Sequence, residues 1–265
     1  MRAAVLGKPI AHSLSPVIHR AGYLAQNLAH SYEAVEIDTD QLGSFIAGCG
    51  EDWMGVSLTM PLKVAAFGVA DQLTPLAEIT GTINTLVFGE QIIGYNTDVY
   101  GLVQACVESG IEGIETCSII GSGATARSAL VAARELGGQH VRLLARNSVA
   151  IAQCAQIAGQ LGINITVSDS ADADFENVDL VINTTPVGVA DKLLADTTDV
   201  SGLLLDVVYS PWPTQLASRW IECGGTVCPG YLMLLHQAAA QYDLFTGLAA
   251  PLDQMRAALM ETLRH

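Results

Sequence analysis

The chain has 265 residues, half of them hydrophobic and 15% charged, with 27 acidic against 12 basic side chains and a formal net charge of -15. That much apolar material builds one large or two modest packed domains and excludes a disordered chain. A surface this acidic repels nucleic acid and anionic lipid, so neither is expected as a partner, and any anionic ligand must be met by a few locally placed cations. Met1 and Arg2 lead into only five apolar or small residues before Lys8-Pro9, too short for a secretory signal, and no apolar run is long enough for a membrane span. The six cysteines (49, 106, 117, 154, 223 and 228) form no CxxC pair and no zinc spacing. They read as buried free thiols of a cytoplasmic protein without a metal, and Cys223 and Cys228 alone are close enough in sequence to invite a disulfide.

Short β-branched runs alternate with amphipathic stretches, the pattern of an α/β fold. Residues 3–7 read as a first strand, 15–27 as a helix, 32–37 as a second strand, and 39–48 as a helix capped by Asp38 or Thr39. A third strand at 54–59 leads into a helix with Pro61 in its first turn, and strands at 82–88 and 91–95 form a hairpin about Gly89-Glu90. A helix over 98–110 follows, and then a second unit begins. Its first strand, 116–120, is almost wholly apolar, as a strand buried on both faces should be, and it runs straight into Gly121 and a helix to 136. Strands at 141–145, 163–167, 180–183, 203–208 and 226–228 follow, with helices at 148–161 and near 214–222. From Gly230 the chain is helical to its end, broken once at 247–251. The expected architecture is two-domain α/β. Residues 1–102, rejoined by the C-terminal helices 238–265, form a substrate-binding and catalytic domain with a mixed sheet. Residues 103–237 form a Rossmann-type domain with a doubly wound parallel sheet.

The strand-to-helix junction Gly121-Ser122-Gly123-Ala124-Thr125-Ala126-Arg127 has small residues where a backbone must turn sharply and approach a pyrophosphate, ahead of the free N–H groups of a helix N-terminus. Its GxGxxA pattern is also what plain helix–strand packing produces, so the next strand matters. That strand ends Leu144-Ala145-Arg146-Asn147, with no acid to bind a ribose 2′-hydroxyl and with an arginine suited to a 2′-phosphate, which points to NADP rather than NAD. Thr184, Thr185 and Pro186 end another strand on the side of a parallel sheet where nucleotides sit.

The first hundred residues carry the candidate chemistry. Ser13 and Ser15, spaced i, i+2 at the start of a helix, suit a carboxylate, although Ser15 also reads as an ordinary cap. In Thr59-Met-Pro61-Leu-Lys63 the proline puts Lys63 in a first helical turn, against the helix dipole, unless it is simply a solvated surface lysine. A nearby carboxylate would hold its charge, and such a pair suits proton transfer to an oxygen. Asp98, at a strand-to-helix junction in Asn96-Thr97-Asp98, is the candidate partner, or else a helix cap. Asn84 inside an apolar strand and Gln237 inside an apolar helix need hydrogen-bond partners, which a polyol or the core itself supplies.

Taken in order, Gly7-Lys-Pro-Ile-Ala-His-Ser-Leu-Ser-Pro16, Val56-Ser-Leu-Thr-Met-Pro-Leu-Lys63, Gly81-Thr-Ile-Asn-Thr85, Asn96-Thr-Asp98, Gly121 to Arg127, Ala145-Arg-Asn147 and Gly230-Tyr-Leu-Met-Leu-Leu-His-Gln-Ala-Ala239 resemble the shikimate dehydrogenase family over nearly the whole chain. The resemblance implies an NADP-dependent enzyme of aromatic amino-acid (chorismate) biosynthesis that reduces 3-dehydroshikimate to shikimate, acting as a monomer or homodimer on a small-molecule substrate. It assigns the substrate carboxylate to Ser13 and Ser15 and ring hydroxyls to Thr59, Asn84 and Gln237. Tyr209 lies near the substrate, and Lys63 with Asp98 is the catalytic pair. It assigns the pyrophosphate to Gly121 through Arg127 and the 2′-phosphate to Arg146, with Gly230 among the cofactor residues. Three positions depart from the family's frequent pattern: Ser57, a substrate contact, stands where Asn is common, Ala124 where a further Gly is common, and Ala145-Arg146-Asn147 where Asn-Arg-Thr is common. The alternatives are an NAD-dependent quinate or shikimate dehydrogenase, a non-catalytic nucleotide-binding regulator of the same fold, and a folate-linked dehydrogenase.

Overall fold

A computed structural model describes residues 1–169, 175–194 and 199–264. The chain forms two compact units, Met1–Gly101 together with the segment from Leu234 onward, and Leu102–Met233. The sequence reading draws its boundaries after residues 102 and 237. Both transitions fall inside continuous helices, where no turn residue marks them.

The first unit contains β1 (Arg2–Gly7), α1 (Ser15–Ala25), β2 (Ser31–Glu36), α2 (Leu42–Ala47), β3 (Trp53–Leu58), α3 (Leu62–Ala65), β4 (Gln72–Leu73), α4 (Pro75–Thr80), β5 (Thr85–Val87) and β6 (Ile93–Tyr95). Helix α5 (Asp98–Glu108) leads into the second unit. The six strands make one mixed sheet in the order β2-β1-β3-β5-β6-β4, with β1 parallel to β2 and β3, and β5 antiparallel to both β3 and β6. Ala4, Leu6, Val56, Leu58, Ile83 and Leu86 pack with Leu42, Ile46 and Leu62 in a common core.

Two expectations are corrected here, and one further helix appears. Helix α2 starts at Leu42, because Asp38 and Gln41 fold a separate turn first: the Asp38 carboxylate accepts from Thr39 N–H and the Asp38 N–H donates to Gln41 Oε1. The strand expected from residue 82 begins at Thr85, because Thr80, Thr82 and Asn96 hydrogen-bond one another and hold the preceding residues in a bend. Helix α4 was not foreseen, although Pro75 opens it, Glu78 lies in its first turn, and Gly81 closes it in a left-handed conformation.

The second unit contains β7 (Thr116–Ile120), α6 (Ala124–Glu135), β8 (His140–Leu144), α7 (Ser148–Leu161), β9 (Asn164–Ser168), β10 (Leu180–Asn183), β11 (Leu203–Asp206), α8 (Gln215–Glu222) and β12 (Thr226–Pro229). All its strands are parallel, in the order β12-β11-β10-β7-β8-β9. This is the doubly wound dinucleotide-binding order, in which ligands sit beyond the carboxyl ends of the two strands where the winding reverses, here β7 and β10. Every residue of β10 and β11 is buried, which explains their near-continuous apolar sequence. Helices α9 (Gly230–Thr246) and α10 (Leu252–Leu263) end the chain, and α10 lies on α1 of the first unit. All six cysteines are free thiols, Cys223 and Cys228 included. Among the described residues no helix is long and apolar enough to cross a membrane.

Candidate active site

Lys63 and Asp98 lie 35 residues apart and meet in the first unit. Lys63 Nζ donates to Asp98 Oδ2 at 2.5 Å, and the two side chains are only 14% and 5% exposed. Lys63 sits in α3, a single four-residue turn. So short a helix has no developed dipole, so the dipole argument for this lysine fails; among the described residues Asp98 is the hydrogen-bond partner of its ammonium. Asp98 opens α5 but does not cap it: Asn96 Oδ1 accepts from the Asp98 and Val99 N–H groups. That leaves the Asp98 carboxylate to face Lys63. A buried pair is at best neutral for stability against apolar replacements, so stability does not explain its presence here.

Asn84 holds the other carboxylate oxygen. Its Nδ2 donates to Asp98 Oδ1 at 2.8 Å and to Thr97 Oγ1 at 2.9 Å, while its Oδ1 accepts from Thr97 N–H at 2.8 Å. Lys63, Asn84 and Asp98 are therefore one assembly, built from α3, the residue before β5, and the first residue of α5. Ser57, in β3, is buried and already engaged: its hydroxyl accepts from Tyr32 and donates to Gln241. Thr59 follows β3 and stays partly exposed. Ser15 is buried at the start of α1, and its N–H approaches Ser13 Oγ at 3.4 Å. Gln237, on α9, is 8% exposed and donates to the Leu234 carbonyl of its own helix at 2.9 Å. Tyr209 lies after β11 in the second unit, half-buried, and burial raises its phenol pKa.

At the carboxyl end of β7, Gly121 adopts φ +103°, and a Cβ added there would come within 2.6 Å of Thr184 Oγ1. Thr184 closes the junction by donating its hydroxyl to the Ile120 carbonyl at 2.7 Å, and Thr185 donates to Asn183 Oδ1 at 2.7 Å. Helix α6 begins with Gly123 at its cap position and no side-chain cap bond, so its first-turn N–H groups are left for a ligand. The space at Gly123 where a side chain would stand is open. Beside this loop is a cavity of about 600 Å³ lined by Gly121, Ser122, Ala145, Arg146, Thr185 and Lys192 among others. Lys192 is a second cation here that sequence reading missed, since it belongs to no strand end or motif.

Several expected cofactor residues have structural work. Asn147 caps α7 by accepting from Ala150 N–H at 3.1 Å. Arg127 is half-buried with its Nε unpartnered among the described residues; burial lowers its pKa, and its charge is felt by the Cys154 thiol of α7. Gly230 is where the chain passes the exit of β11: a Cβ there would meet the Val207 carbonyl oxygen at 2.4 Å. Ala124 and Thr125 form the first turn of α6, and Pro186 is exposed beyond Thr185. The buried Asp206, also missed, accepts from Asn183 Nδ2, Thr214 Oγ1 and Val208 N–H and so ties β10 to β11, while burial pushes its pKa up.

The uncapped start of α6, with Arg146 and Lys192 lining the cavity beside it and no acid at the end of β8, fits a 2′-phosphorylated dinucleotide. With the lysine–carboxylate pair of the first unit, these features define an α/β oxidoreductase of the dinucleotide-binding class.

Comparison with known proteins narrows the class. Residues 5–86 match the shikimate dehydrogenase substrate binding domain, residues 230–260 the shikimate 5′-dehydrogenase C-terminal domain, and residues 111–205 the ornithine cyclodeaminase/mu-crystallin family. Shikimate dehydrogenase (NADP(+)) of Methanococcoides burtonii is 31% identical, covering 98% of this chain and 97% of that protein. The crystal structure of Mycobacterium tuberculosis shikimate dehydrogenase is 37% identical with a TM-score of 0.89, covering 98% of this chain and 99% of that one. The shikimate 5-dehydrogenase of Thermus thermophilus solved in complex with NADP(H) and shikimate is 29% identical with a TM-score of 0.85, covering 98% of this chain and 99% of that one. The chain belongs to the shikimate dehydrogenase family.

Proposed function

We propose that this protein catalyses the reduction of 3-dehydroshikimate to shikimate with NADPH, as a cytoplasmic enzyme of aromatic amino-acid biosynthesis. The first unit binds the ring acid and the second binds the nucleotide. The observation that carries the reading is the Lys63–Asp98 pair, nearly buried and held by Asn84 in a chain of this family. When bound, NADPH supplies the hydride. The chain's own residues do the rest. Lys63 has three donors and uses one on Asp98, so two remain for the ring ketone oxygen as negative charge develops on it. Asp98 accepts Lys63 on one oxygen and Asn84 on the other, and its remaining lone pairs accept a ring hydroxyl. Ser13 and Ser15, at the start of the eleven-residue α1, receive the substrate carboxylate. Thr59, Asn84, Gln237 and Tyr209 complete the contacts with the ring. Gly121 to Arg127 hold the pyrophosphate and Arg146 with Lys192 the 2′-phosphate; Ala145, Asn147, Thr184, Thr185, Pro186 and Gly230 frame the rest.

The test is spectrophotometric: reduction of NADP+ with shikimate, with quinate and without substrate, repeated with NAD+. Shikimate-dependent reduction that prefers NADP+ is the expected result. No reduction with any of these substrates, or equal rates with quinate and NAD+, would replace this reading.

A further inference from the structure

A continuous file of buried side chains leads into the Lys63–Asp98 pair. Tyr32 Oη donates to Ser57 Oγ at 2.6 Å, and Ser57 Oγ donates to Gln241 Oε1 at 2.8 Å. Gln241 Nε2 donates to Thr85 Oγ1 at 2.9 Å, Thr85 Oγ1 to Asn84 Oδ1 at 2.9 Å, and Asn84 Nδ2 to Asp98 Oδ1 at 2.8 Å. None of the six is more than 4% exposed. A polar file so deep in a core is costly unless every member is satisfied.

The direction of donation along this file is forced from one end. Thr97 N–H is a backbone donor, so the Asn84 atom it meets must be the carbonyl oxygen, and the amide nitrogen must face Asp98. Thr85 then donates to Asn84 and has to accept from Gln241. That turns the Gln241 oxygen toward Ser57, which has to donate, and so Ser57 accepts from Tyr32. Gln241 is the hinge of this logic. Ser57 of β3 and Thr85 of β5 are directly opposed partners in the antiparallel ladder, and the Gln241 amide bridges their two hydroxyls. It stands one helical turn after Gln237 on α9, so it also sets the register of that helix on the two strands.

We propose that Gln241 is a positioning residue for the reaction: its amide locks Gln237 and the Asn84–Asp98 arrangement into one geometry by reading a hydroxyl acceptor and a hydroxyl donor at once. The proposal rests on the assignment of Lys63 and Asp98 as the reacting pair. It also gives Ser57 an internal role: its hydroxyl links Tyr32 to Gln241.

Replacement by glutamate makes the idea testable. A carboxylate has no proton for Thr85, whereas a protonated acid has one O–H and one C=O and reproduces the amide. Burial favours the protonated form. The ionisable groups facing this position are His19 of α1, held neutral by burial down to about 3, and Tyr32 of β2, whose burial pushes its ionisation up; β3 and β5 contribute hydroxyls, and Asp98 with Lys63 lies beyond Asn84.

Kinetics of shikimate oxidation are measured against pH for wild type, Gln241→Glu and Gln241→Leu. Gln241→Glu should show a new loss of kcat/KM for shikimate as pH rises, recovered within a few-fold of wild type at low pH. Gln241→Leu should raise KM for shikimate about tenfold at every pH, with KM for NADP+ unchanged. A wild-type pH profile in Gln241→Glu, or Gln241→Leu constants within twofold of wild type or shifted equally for both substrates, would overturn the proposal. If the core variants fail to fold, Tyr32→Phe removes the first donor at near-constant volume. A rise of two- to fivefold in KM for shikimate alone supports the file, and unchanged kinetics overturns it. An inactive wild type would instead refute the function proposed above.

Discussion

The two units are nearly equal in length but bury polar groups very differently. Among the described residues of the second unit only Ser118, Ser128, Asn183, Asp206 and Thr214 are buried polar side chains, and the first unit holds more than twice as many, including Asn84, Asp98, Gln237 and Gln241. The second unit is an apolar parallel sheet that leaves its chemistry to loop backbone and rim cations at the strand ends. The first carries its polar groups within the sheet and the helix laid on it. The difference follows from what each must hold. Phosphates are met by N–H groups and cations at a rim, while a developing alkoxide needs a desolvated, pre-set donor.

Lys63→Ala tests that contrast at its widest. Turnover should fall by roughly 10²–10⁴-fold, while the dissociation constant for NADPH, measured by calorimetry, stays at the wild-type value. The variant leaves the nearly buried Asp98 carboxylate without its cation, a loss of about 3–5 kcal/mol, so its melting temperature should fall and the assay is run well below it. Turnover close to wild type would remove Lys63 from the chemistry and leave the polar interior of the first unit without its explanation.

This contrast also decided how much could be read from the sequence. The second unit's apolar strands at 116–120 and 180–183 and the helix at 148–161 are legible to the residue, because strands buried on both faces have almost no choice but to be apolar and are bounded by small or polar residues. In the first unit Thr82 and Thr85 read alike in an apolar run, yet one belongs to a hydrogen-bonded bend and the other to a strand. Gln241 belongs to no motif and reads as one more polar residue on a long helix. Asn96 caps the helix although Asp98, at the helix start itself, reads as the nearer cap. Gln241's partners lie 184 and 156 residues away and leave no periodic signal, Lys192 belongs to no motif, and Asp206 reads as one more residue of an expected strand.

Arg146→Ala sharpens the comparison from the other side. If the rim cations of the second unit serve the 2′-phosphate, the variant should bind NADP+ about 10–100-fold more weakly, as expected for a charge-assisted contact. NAD+ affinity and the shikimate KM extrapolated to saturating NADP+ should not change. The loss stays partial because Lys192 lines the same cavity. An equal loss for NAD+ and NADP+ would mean that Arg146 supports the loop and does not read the phosphate.

The smallest effect concerns stability, and here the two units should differ in sign. His19 is fully buried, stacked on Tyr32 with ring centroids 4.0 Å apart, and neither of its nitrogens has a hydrogen-bond partner among the described residues. Burial lowers its pKa from 6.5 to about 3 against the smaller, opposing influence of Gln241. As pH falls, the unfolded chain therefore takes up this proton near 6.5 while the folded chain stays neutral, so stability present above 6.5 is lost progressively toward 3. Between neutrality and pH 5 the loss from this one group is on the order of 2 kcal/mol. Asp206 of the second unit runs the other way: burial raises its pKa from 3.8, so its unfolded form ionises first and stability falls as pH rises through that range. Urea midpoints of wild type and His19→Phe, compared between pH 7.5 and 5, separate the histidine from every carboxylate common to both proteins. The phenylalanine keeps the stack on Tyr32 and should flatten the slope by about that amount; parallel slopes would show that the His19 ring is protonated in the folded protein and that the interior of the first unit is more open than its packing indicates.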